Sequence, residues 1–180
     1  MMRTGADEAA APKYSHVERE RRFLVERALL PALPPAHVLI EDRYITATRV
    51  RLRRMTDSAS GEIAYKLAKK YEADDPLARA MVNAYLTAAE YEVFAALPAA
   101  LIVKRRHALP MGGAEFAVDV FSQRLEGLVL AEIEAGDADA LAAIPIPPWA
   151  AREVNHDARY QGGALAALDR AAAALLIAAR

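Results

Sequence analysis

Charged and apolar residues alternate along six segments of this chain, a pattern typical of β-strands that have one charged face and one apolar face. The charged positions are Glu18, Glu20 and Arg22 in 16–25; Arg49, Arg51 and Arg53 in 46–55; Lys66 in 62–67; Lys104 and Arg106 in 100–107; Glu115 and Asp119 in 115–120; and Glu132 and Glu134 in 128–135. Two further strands are predicted over 41–46 and 79–86. Short connections, such as 56–61 and the Gly112-Gly113 turn, predict an antiparallel sheet of about eight strands.

Helical signals are fewer. Thr87 and Glu90 have the spacing of a capping box at the start of a helix. Asp137 is predicted to cap a short helix, and the alanine-rich segment 163–180 is predicted to form one terminal helix. The segment 26–35 is predicted to be a turn or a short helix that is broken by prolines. These helices need an apolar surface to pack on, and the apolar faces of the strands supply one.

The charged faces fit either an open sheet with a solvated surface, which is the commoner arrangement, or a closed barrel whose bore they line. The distribution of sign favours the barrel, because acidic residues gather on the first, fifth and sixth segments and basic residues on the middle ones. Like charges on one strand repel each other unless opposite charge lies among them. We therefore predict an α+β protein: a closed eight-stranded antiparallel β-barrel, or tunnel, with helices packed outside.

Composition narrows the classes of function. Charged residues make up 26% of the 180 residues, yet the formal net charge is only -1. A nucleic-acid-binding protein would carry a net basic field, so we expect no nucleic-acid partner. The absence of cysteine excludes disulfides and Cys-ligated zinc. No segment has the ~18 consecutive apolar residues of a membrane span. We expect a cytoplasmic protein with a disordered tail over 1–13 and a single domain over 14–180.

Carboxylates occur in pairs at strand spacing. Glu18 and Glu20 lie two residues apart, so both side chains project from one face with roughly 7 Å between their backbones. Glu132 and Glu134 repeat this spacing, and Asp119 adds a carboxylate on another predicted strand. Hard cations such as Mg²⁺ bind carboxylate oxygens together with water and phosphate. One pair alone is a weak signal, but the whole set predicts a site for one or two divalent ions in the bore.

The basic residues form a second set, which suits phosphate. They are Arg22, Arg49, Arg51, Arg53, Lys66, Lys104, Arg106 and Arg159. Guanidinium groups bind phosphate in a bidentate fashion, and confining many cations is costly unless an anion neutralises them. Salt bridges to the carboxylates of the bore are the alternative, and they account for part of the set in either case. No Gly-rich phosphate loop of the Walker type is present.

These residues resemble those of the CYTH superfamily, also called the triphosphate tunnel metalloenzymes. The resemblance begins at HVERERRFLV, where Glu18, Glu20 and Arg22 stand in the three positions of the family's ExExK motif. It continues through YITATRVRLRR, YKLAKK and IVKRRHALPMGGAEFAVDVF, and it ends with LEGLVLAEIEAG and PPWAAREVNHDARYQGGALA. The order is collinear over residues 14–168, which is nearly the whole chain.

The resemblance implies an eight-stranded tunnel that depends on Mg²⁺ or Mn²⁺ and acts on a small-molecule triphosphate. The implied metal ligands are Glu18, Glu20 and Glu134, with Asp119 and Glu132 as candidates for a second ion. The implied phosphate ligands are Arg51, Arg53, Lys66, Lys104 and Arg106, to which the charge pattern adds Arg49 and Arg159. Tyr44 matches a tyrosine that is held to help the ExExK lysine activate water, so Arg22 and Tyr44 are the catalytic candidates. Family members are often homodimers, which is the expectation here.

Several positions depart from the family pattern. Arg22 replaces the lysine, and an arginine cannot serve as a general base. Met81 and Asn83 stand where glutamates are frequent, and Ala117 stands where an acidic residue often precedes the aspartate. The main prediction is a metal-dependent phosphohydrolase that acts on tripolyphosphate, ATP or thiamine triphosphate. A triphosphate- or polyphosphate-binding protein with little turnover and a class IV adenylate cyclase are the alternatives.

Overall fold

The computed structural model describes residues 12–179, in which strands dominate. The strands are β1 (His16–Val25), β2 (Val38–Ile45), β3 (Val50–Asp57), β4 (Ile63–Lys70), β5 (Ala78–Leu86), β6 (Ala99–Met111), β7 (Ala114–Phe121), β8 (Val129–Glu134) and β9 (Ala150–Glu153). The helices are α1 (Ala88–Ala95), α2 (Ala138–Ala143), α3 (Gly162–Ala167) and α4 (Arg170–Ala178). Residues 1–11 of the predicted tail lie outside the described residues.

Eight of the strands close into a barrel. In the order β5-β4-β3-β2-β6-β7-β8-β1, neighbouring strands are antiparallel, and a pairing of β1 with β5 joins the two edges. The short strand β9 pairs with the end of β1 and is absent from the prediction. Gly112 and Gly113, between β6 and β7, have φ values of 61° and 82°, a left-handed conformation that favours glycine. The predicted closed antiparallel barrel is therefore confirmed.

One predicted strand is displaced along the chain. Residues 46–49 form the turn between β2 and β3, in which Ala47 has a φ of 57°, so the strand predicted over 46–55 is found at Val50–Asp57. Arg49 therefore lies in this turn rather than within the strand. The segment 26–35 forms turns and contains no helix, which resolves the alternative left by its prolines.

The outward faces of β1, β7 and β8 form an apolar core outside the barrel. Phe23, Val118 and Ala131 are fully buried there, beneath Leu141 of α2 and the indole of Trp149. Apolar burial of this kind is the main favourable term in folding. Because side chains alternate along a strand, covering these apolar faces turns the charged positions of the same strands into the bore.

A second core lies at one end of the bore. Leu24, Ile102 and Phe121 pack there against Leu165 of α3 and Leu176 of α4. The helices α1 and α2 lie outside the barrel as predicted, whereas α3 and α4 cover this end of it. Among residues 12–179, no helix is long and apolar enough to cross a membrane.

The prediction of one continuous terminal helix is wrong. The chain leaves helical geometry at Leu168, and Asp169 caps a separate helix by accepting the N–H of Ala172 at 2.8 Å. The break changes the direction of the chain so that α3 and α4 both bury a leucine in the same core. The predicted caps of α1 and α2 are confirmed: Thr87 and Glu90 form a reciprocal capping box, and Asp137 caps α2.

Candidate functional site

The bore encloses a cavity of about 530 Å³, to which all eight barrel strands and the segment 160–165 contribute side chains. The predicted site residues line this cavity with two exceptions, Asp119 and Arg159. The charged lining residues that the prediction omits are Asp42, Lys70, Glu72 and Arg79. The alternation of charges along the strands thus identified most of the lining, and the two exceptions follow from contacts described below.

Three carboxylates meet at one wall of the cavity, and we call Glu18, Glu20 and Glu134 the acidic cluster. Glu18 and Glu20 project from the same face of β1, and Glu134 of β8 lies opposite Glu20 in the strand register. One oxygen from each carboxylate lies within 4.8 Å of the other two. The pKa of Glu134 is raised by burial and by the charges of Glu18 and Glu20. Three carboxylates thus lie close together in this part of the cavity, an arrangement that suits a cation.

Lys70 supplies a cation to the acidic cluster. Its Nζ atom lies 3.2 Å from Glu20 Oε1 and also forms an ion pair with Glu18. β4 and β1 are brought together because both strands pair with β5, where the barrel closes. The sequence carried a signal for this residue, since Lys70 shares the inward face of β4 with Lys66. The lysine side chain is 28% exposed, so it lies at the edge of the cavity and is able to move away.

Arg22 joins the acidic cluster to the next group of charges. Its Nη2 atom donates to Glu20 Oε1 at 3.0 Å, its Nε atom donates to Glu132 Oε1 at 2.9 Å, and Nη1 donates to the Tyr160 carbonyl at 3.2 Å. Burial alone would lower the pKa of Arg22, but Glu132 and Glu20 raise it above its ordinary value. The guanidinium is therefore permanently charged and holds three parts of the site together.

A second group of charges neutralises itself, and we call Lys104, Arg106, Asp119 and Glu132 the ion-paired cluster. Arg106 binds Asp119 through two hydrogen bonds of 2.7 Å, and it also pairs with Glu132. Lys104 contacts the second oxygen of Asp119. Burial acts to raise the pKa values of Asp119 and Glu132, but the neighbouring cations outweigh it and lower both. Asp119 is 0% exposed and lies behind the two cations, which is why it does not line the cavity.

Asp42, on β2 next to β6, also neutralises cations of the bore. It accepts two hydrogen bonds from Arg53, of 2.6 and 2.8 Å, and its Oδ1 atom lies 3.5 Å from Nε of Arg51. Burial would raise the pKa of Asp42, but Arg53 and Arg51 lower it below its usual range. Sequence reasoning missed Asp42, although its spacing from Tyr44 places both residues on the inward face of β2.

Two cations of the cavity have no carboxylate partner among residues 12–179, namely Lys66 and Arg79. The Nζ atom of Lys66 lies 5.0 Å from the centroid of the Tyr85 ring, and the Nε atom of Arg79 is buried without a hydrogen-bond partner. A buried donor without a partner is costly, so this wall of the cavity is suited to an anion.

Arg49 and Arg159 lie farther out. Arg49 lies at the cavity edge and pairs with Glu72, whose side chain is largely exposed. Arg159 pairs with Asp157 and stacks near the ring of Tyr160, outside the cavity. The structure therefore brings Arg49 to the edge of the site and does not bring Arg159 into it.

Tyr44 lines the cavity beside α3. A Cβ atom built on Gly162 would lie 1.9 Å from the tyrosine hydroxyl oxygen, so the glycine leaves the space that the ring occupies. Burial raises the pKa of Tyr44, and the charge of Asp42 raises it further. The phenol is therefore neutral at pH 7 and is able to donate a hydrogen bond.

No protein-family model and no curated protein matches this chain. Solved structures do. The inorganic triphosphatase NE1496 is similar with 28% sequence identity and a TM-score of 0.56, over 84% of this chain and 95% of that chain. A second crystal structure of NE1496, described as a hypothetical protein, matches with 28% identity and a TM-score of 0.55, over 83% of this chain and 97% of that chain.

Proposed function

We propose that this chain is a divalent-metal-dependent phosphohydrolase that binds and hydrolyses inorganic triphosphate or a related triphosphate compound. Its closed barrel, its similarity to the inorganic triphosphatase NE1496 and its resemblance to the CYTH superfamily support this proposal. One observation carries the proposal. A single cavity holds a cluster of three carboxylates and, on the strands β4 and β5, two cations that have no carboxylate partner among residues 12–179. A metal-bound polyphosphate has charge complementary to both sets of residues.

The acidic cluster fits a hard divalent cation. Its three carboxylate oxygens lie within 4.8 Å of one another, and oxygen is the ligand type that Mg²⁺ and Mn²⁺ prefer. Burial raises the pKa of Glu134, and the neighbouring charges of Glu18 and Glu20, which a cation would offset, raise it further. Glu18, Glu20 and Glu134 would hold the ion, and Lys70 would move away from them. When bound, such an ion neutralises phosphate charge and lowers the pKa of a coordinated water.

The carboxylates of the ion-paired cluster are poor candidates for a second ion. Asp119 is bound by Lys104 and by two hydrogen bonds from Arg106, so its oxygens are already occupied. Glu132 pairs with two arginines, Arg22 and Arg106, whereas one of the two cations on Glu20 is the partly exposed Lys70, which is able to move away. We propose instead that these two carboxylates orient the cations that face the substrate, and that one divalent ion binds in the acidic cluster.

Cationic side chains on several strands are proposed to bind phosphate. The proposed phosphate ligands are Arg51, Arg53, Lys66, Lys70, Arg79, Lys104 and Arg106, with Arg49 at the cavity edge. Lys66 and Arg79 are the best candidates, because neither has a carboxylate partner among the described residues. In phosphoryl transfer, charge spreads over the oxygens of the transferred group, and positioned cations stabilise it.

The residues of the site assign Arg22 a positioning role. Its guanidinium stays protonated, so it accepts no proton from an attacking water. Through Glu20 and Glu132 it keeps one carboxylate in the acidic cluster and another against Arg106. Tyr44, a neutral phenol beside the same cavity, is suited to donate a hydrogen bond to a phosphate oxygen or to a water.

Arg22 also supports a second candidate function, a triphosphate-binding protein with little turnover. A lysine at this position would carry one compact ammonium group, whose pKa shifts readily on burial. The Arg22 guanidinium instead donates to three partners and keeps its proton. Such a site binds the anion and the metal but lacks a proton acceptor at this position. The two functions predict the same binding and differ in turnover.

One panel of assays tests the proposal. Purified protein is incubated with Mg²⁺ or Mn²⁺ and with tripolyphosphate, ATP or thiamine triphosphate, and both phosphate release and cyclic AMP are measured. We expect metal-dependent phosphate release, with tripolyphosphate as a substrate. Strong thermal stabilisation by tripolyphosphate without turnover would support the binding protein instead. Cyclic AMP without phosphate release would favour the cyclase.

A further inference from the structure

One edge of β1 pairs first with β5 and then with β9, and the change of partner occurs at the residues of β1 that line the cavity. On this edge β1 pairs with β5 over His16–Arg19 and with β9 from Phe23 onward. Glu20 and Arg22, which point into the cavity, fall in the gap between these two partners. Two of their four backbone groups on this edge are satisfied by the neighbouring backbone, since Glu20 N donates to Leu77 O and Arg22 O accepts from Val154 N.

Asn155 satisfies the other two groups. Its Nδ2 atom donates to the Glu20 carbonyl at 2.9 Å, and its Oδ1 atom accepts from the Arg22 N–H at 2.6 Å. The direction of the amide follows from these partners, because a carbonyl only accepts and an N–H only donates. Asn155 is 4% exposed, so water does not replace it easily. Its side chain thus takes the place of one peptide group of a strand that is missing between β5 and β9.

We infer that Asn155 is a positioning residue for metal and substrate binding. This inference rests on the proposed function. The side chain touches neither the carboxylate of Glu20 nor the guanidinium of Arg22, but it holds the backbone from which both project. Glu20 belongs to the acidic cluster, and Arg22 ties that cluster to Glu132. A loosened β1 edge would move both groups together, and small displacements of ligands are costly.

The surroundings of Asn155 favour this role over simple packing. Gln161 donates to the Asn155 carbonyl at 3.2 Å, and the neighbouring Val154 is fully buried. The backbone at 154–155 is therefore held independently of the side-chain amide. An apolar side chain at position 155 leaves that backbone in place but deprives Glu20 O and Arg22 N of their partners.

The test compares Asn155→Ala with Leu141→Ala. Leu141 packs on the outer face of β1 in the core outside the barrel, so its truncation destabilises the protein without removing a contact of the cavity. Mn²⁺ affinity is measured by calorimetric titration of each folded protein, and thermal unfolding is measured beside it. We expect Asn155→Ala to weaken Mn²⁺ binding by about 10- to 100-fold, and Leu141→Ala to leave the affinity unchanged. Equal Mn²⁺ affinity in wild type and Asn155→Ala would overturn the inference.

A second variant and a second measurement apply if Asn155→Ala does not fold or if the wild-type protein does not bind Mn²⁺. If Asn155→Ala does not fold, Asn155→Asp replaces it: the carboxylate keeps the acceptor for Arg22 N, loses the donor for Glu20 O, and should weaken Mn²⁺ binding in the same direction. If wild-type protein does not bind Mn²⁺, the metal part of the proposed function fails. Amide hydrogen exchange of Arg22 then decides the inference. If the Arg22 amide exchanges faster in the Asn155 variant than in wild type, and Leu141→Ala does not show this, Asn155 holds the β1 backbone as inferred. Equal exchange in the Asn155 variant and wild type refutes the inference.

Discussion

The acidic cluster and the ion-paired cluster occupy the same bore and treat negative charge in opposite ways. In the ion-paired cluster, Lys104 and Arg106 surround Asp119 and lower its pKa. In the acidic cluster, burial raises the pKa of Glu134, and the charges of Glu18 and Glu20 raise it further. In the first arrangement each carboxylate has arginine or lysine partners, whereas the second brings three carboxylates together and is the metal site that we propose. The difference distinguishes the ion-paired cluster, whose ion pairs stabilise the barrel, from the acidic cluster, in which we propose that a divalent cation binds.

The largest expected effect comes from breaking the acidic cluster at Glu20. Glu20→Gln removes a proposed metal ligand and a charged partner of both Arg22 and Lys70. We expect metal-dependent phosphate release to fall by ~100-fold or more, because ligand loss should exceed the effect of losing a residue that only supports a ligand. Initial rates across a Mn²⁺ titration measure this. Glu62→Gln, an exposed residue beside β4, is the matched control and should behave as wild type. An unchanged Mn²⁺ response in Glu20→Gln would refute the ligand assignment.

The next effect concerns stability: loss of a carboxylate should destabilise the protein strongly in the ion-paired cluster and hardly at all in the acidic cluster. Asp119→Asn removes the shared counter-ion of the buried Lys104 and the partly buried Arg106, which should cost about 3 kcal/mol of unfolding free energy. Glu134→Gln removes a carboxylate repelled by Glu18 and Glu20, and should change stability by less than about 0.5 kcal/mol without metal. Urea unfolding in the presence of a chelator measures both. Equal destabilisation by the two substitutions would contradict the contrast between the clusters.

A smaller effect is expected at the end of the bore that belongs to neither cluster. Gly162→Ala places a methyl group 1.9 Å from the Tyr44 hydroxyl oxygen, so the ring or α3 must shift, at a cost of about 1–3 kcal/mol. Gly163→Ala is the matched control, because no heavy atom lies within 4 Å of the added Cβ. Thermal unfolding and turnover are compared for the two variants. A loss of turnover in Gly162→Ala with unchanged Mn²⁺ affinity would separate Tyr44 from the acidic cluster.

The smallest expected effect is on pH dependence. As pH falls, Glu134 becomes protonated above the usual glutamate pKa of about 4.3, and Mn²⁺ affinity should fall with it. A raised pKa means that the folded protein without metal gains stability as pH falls through that pKa. The lowered pKa of Asp119 has the opposite sign: its contribution is present above the unfolded pKa and is lost as pH falls through the folded pKa. Mn²⁺ titrations from about pH 4 to 7 measure the first step.

The outcome of the pH experiment is decided by one variant. Glu134→Gln should lower Mn²⁺ affinity and remove the pH-dependent step above the ordinary glutamate range. If the step persists at the same pH in Glu134→Gln, another group is responsible and the pKa assignment is wrong.

The fold was predictable in large part because period-two alternation is a local property. It identified the strands that build the barrel, and the inward positions of β1, β3, β6 and β8 followed from it. The prediction failed where a contact with a distant part of the chain determines the secondary structure. The break at Leu168 exists because α3 and α4 both pack on one core, and β9 exists because β1 offers it a free edge. Neither partner is visible in the segment itself.

The sequence by itself determined which residues enter the bore, because side chains on a strand point to opposite faces in turn. It also determined that both signs of charge would lie there together. Only the tertiary structure decided which charges meet. Strand register and barrel closure bring Lys70 to Glu20, hide Asp119 behind Arg106, and leave Arg159 outside. These pairings depend on distances across the barrel, which a pattern along one strand does not contain.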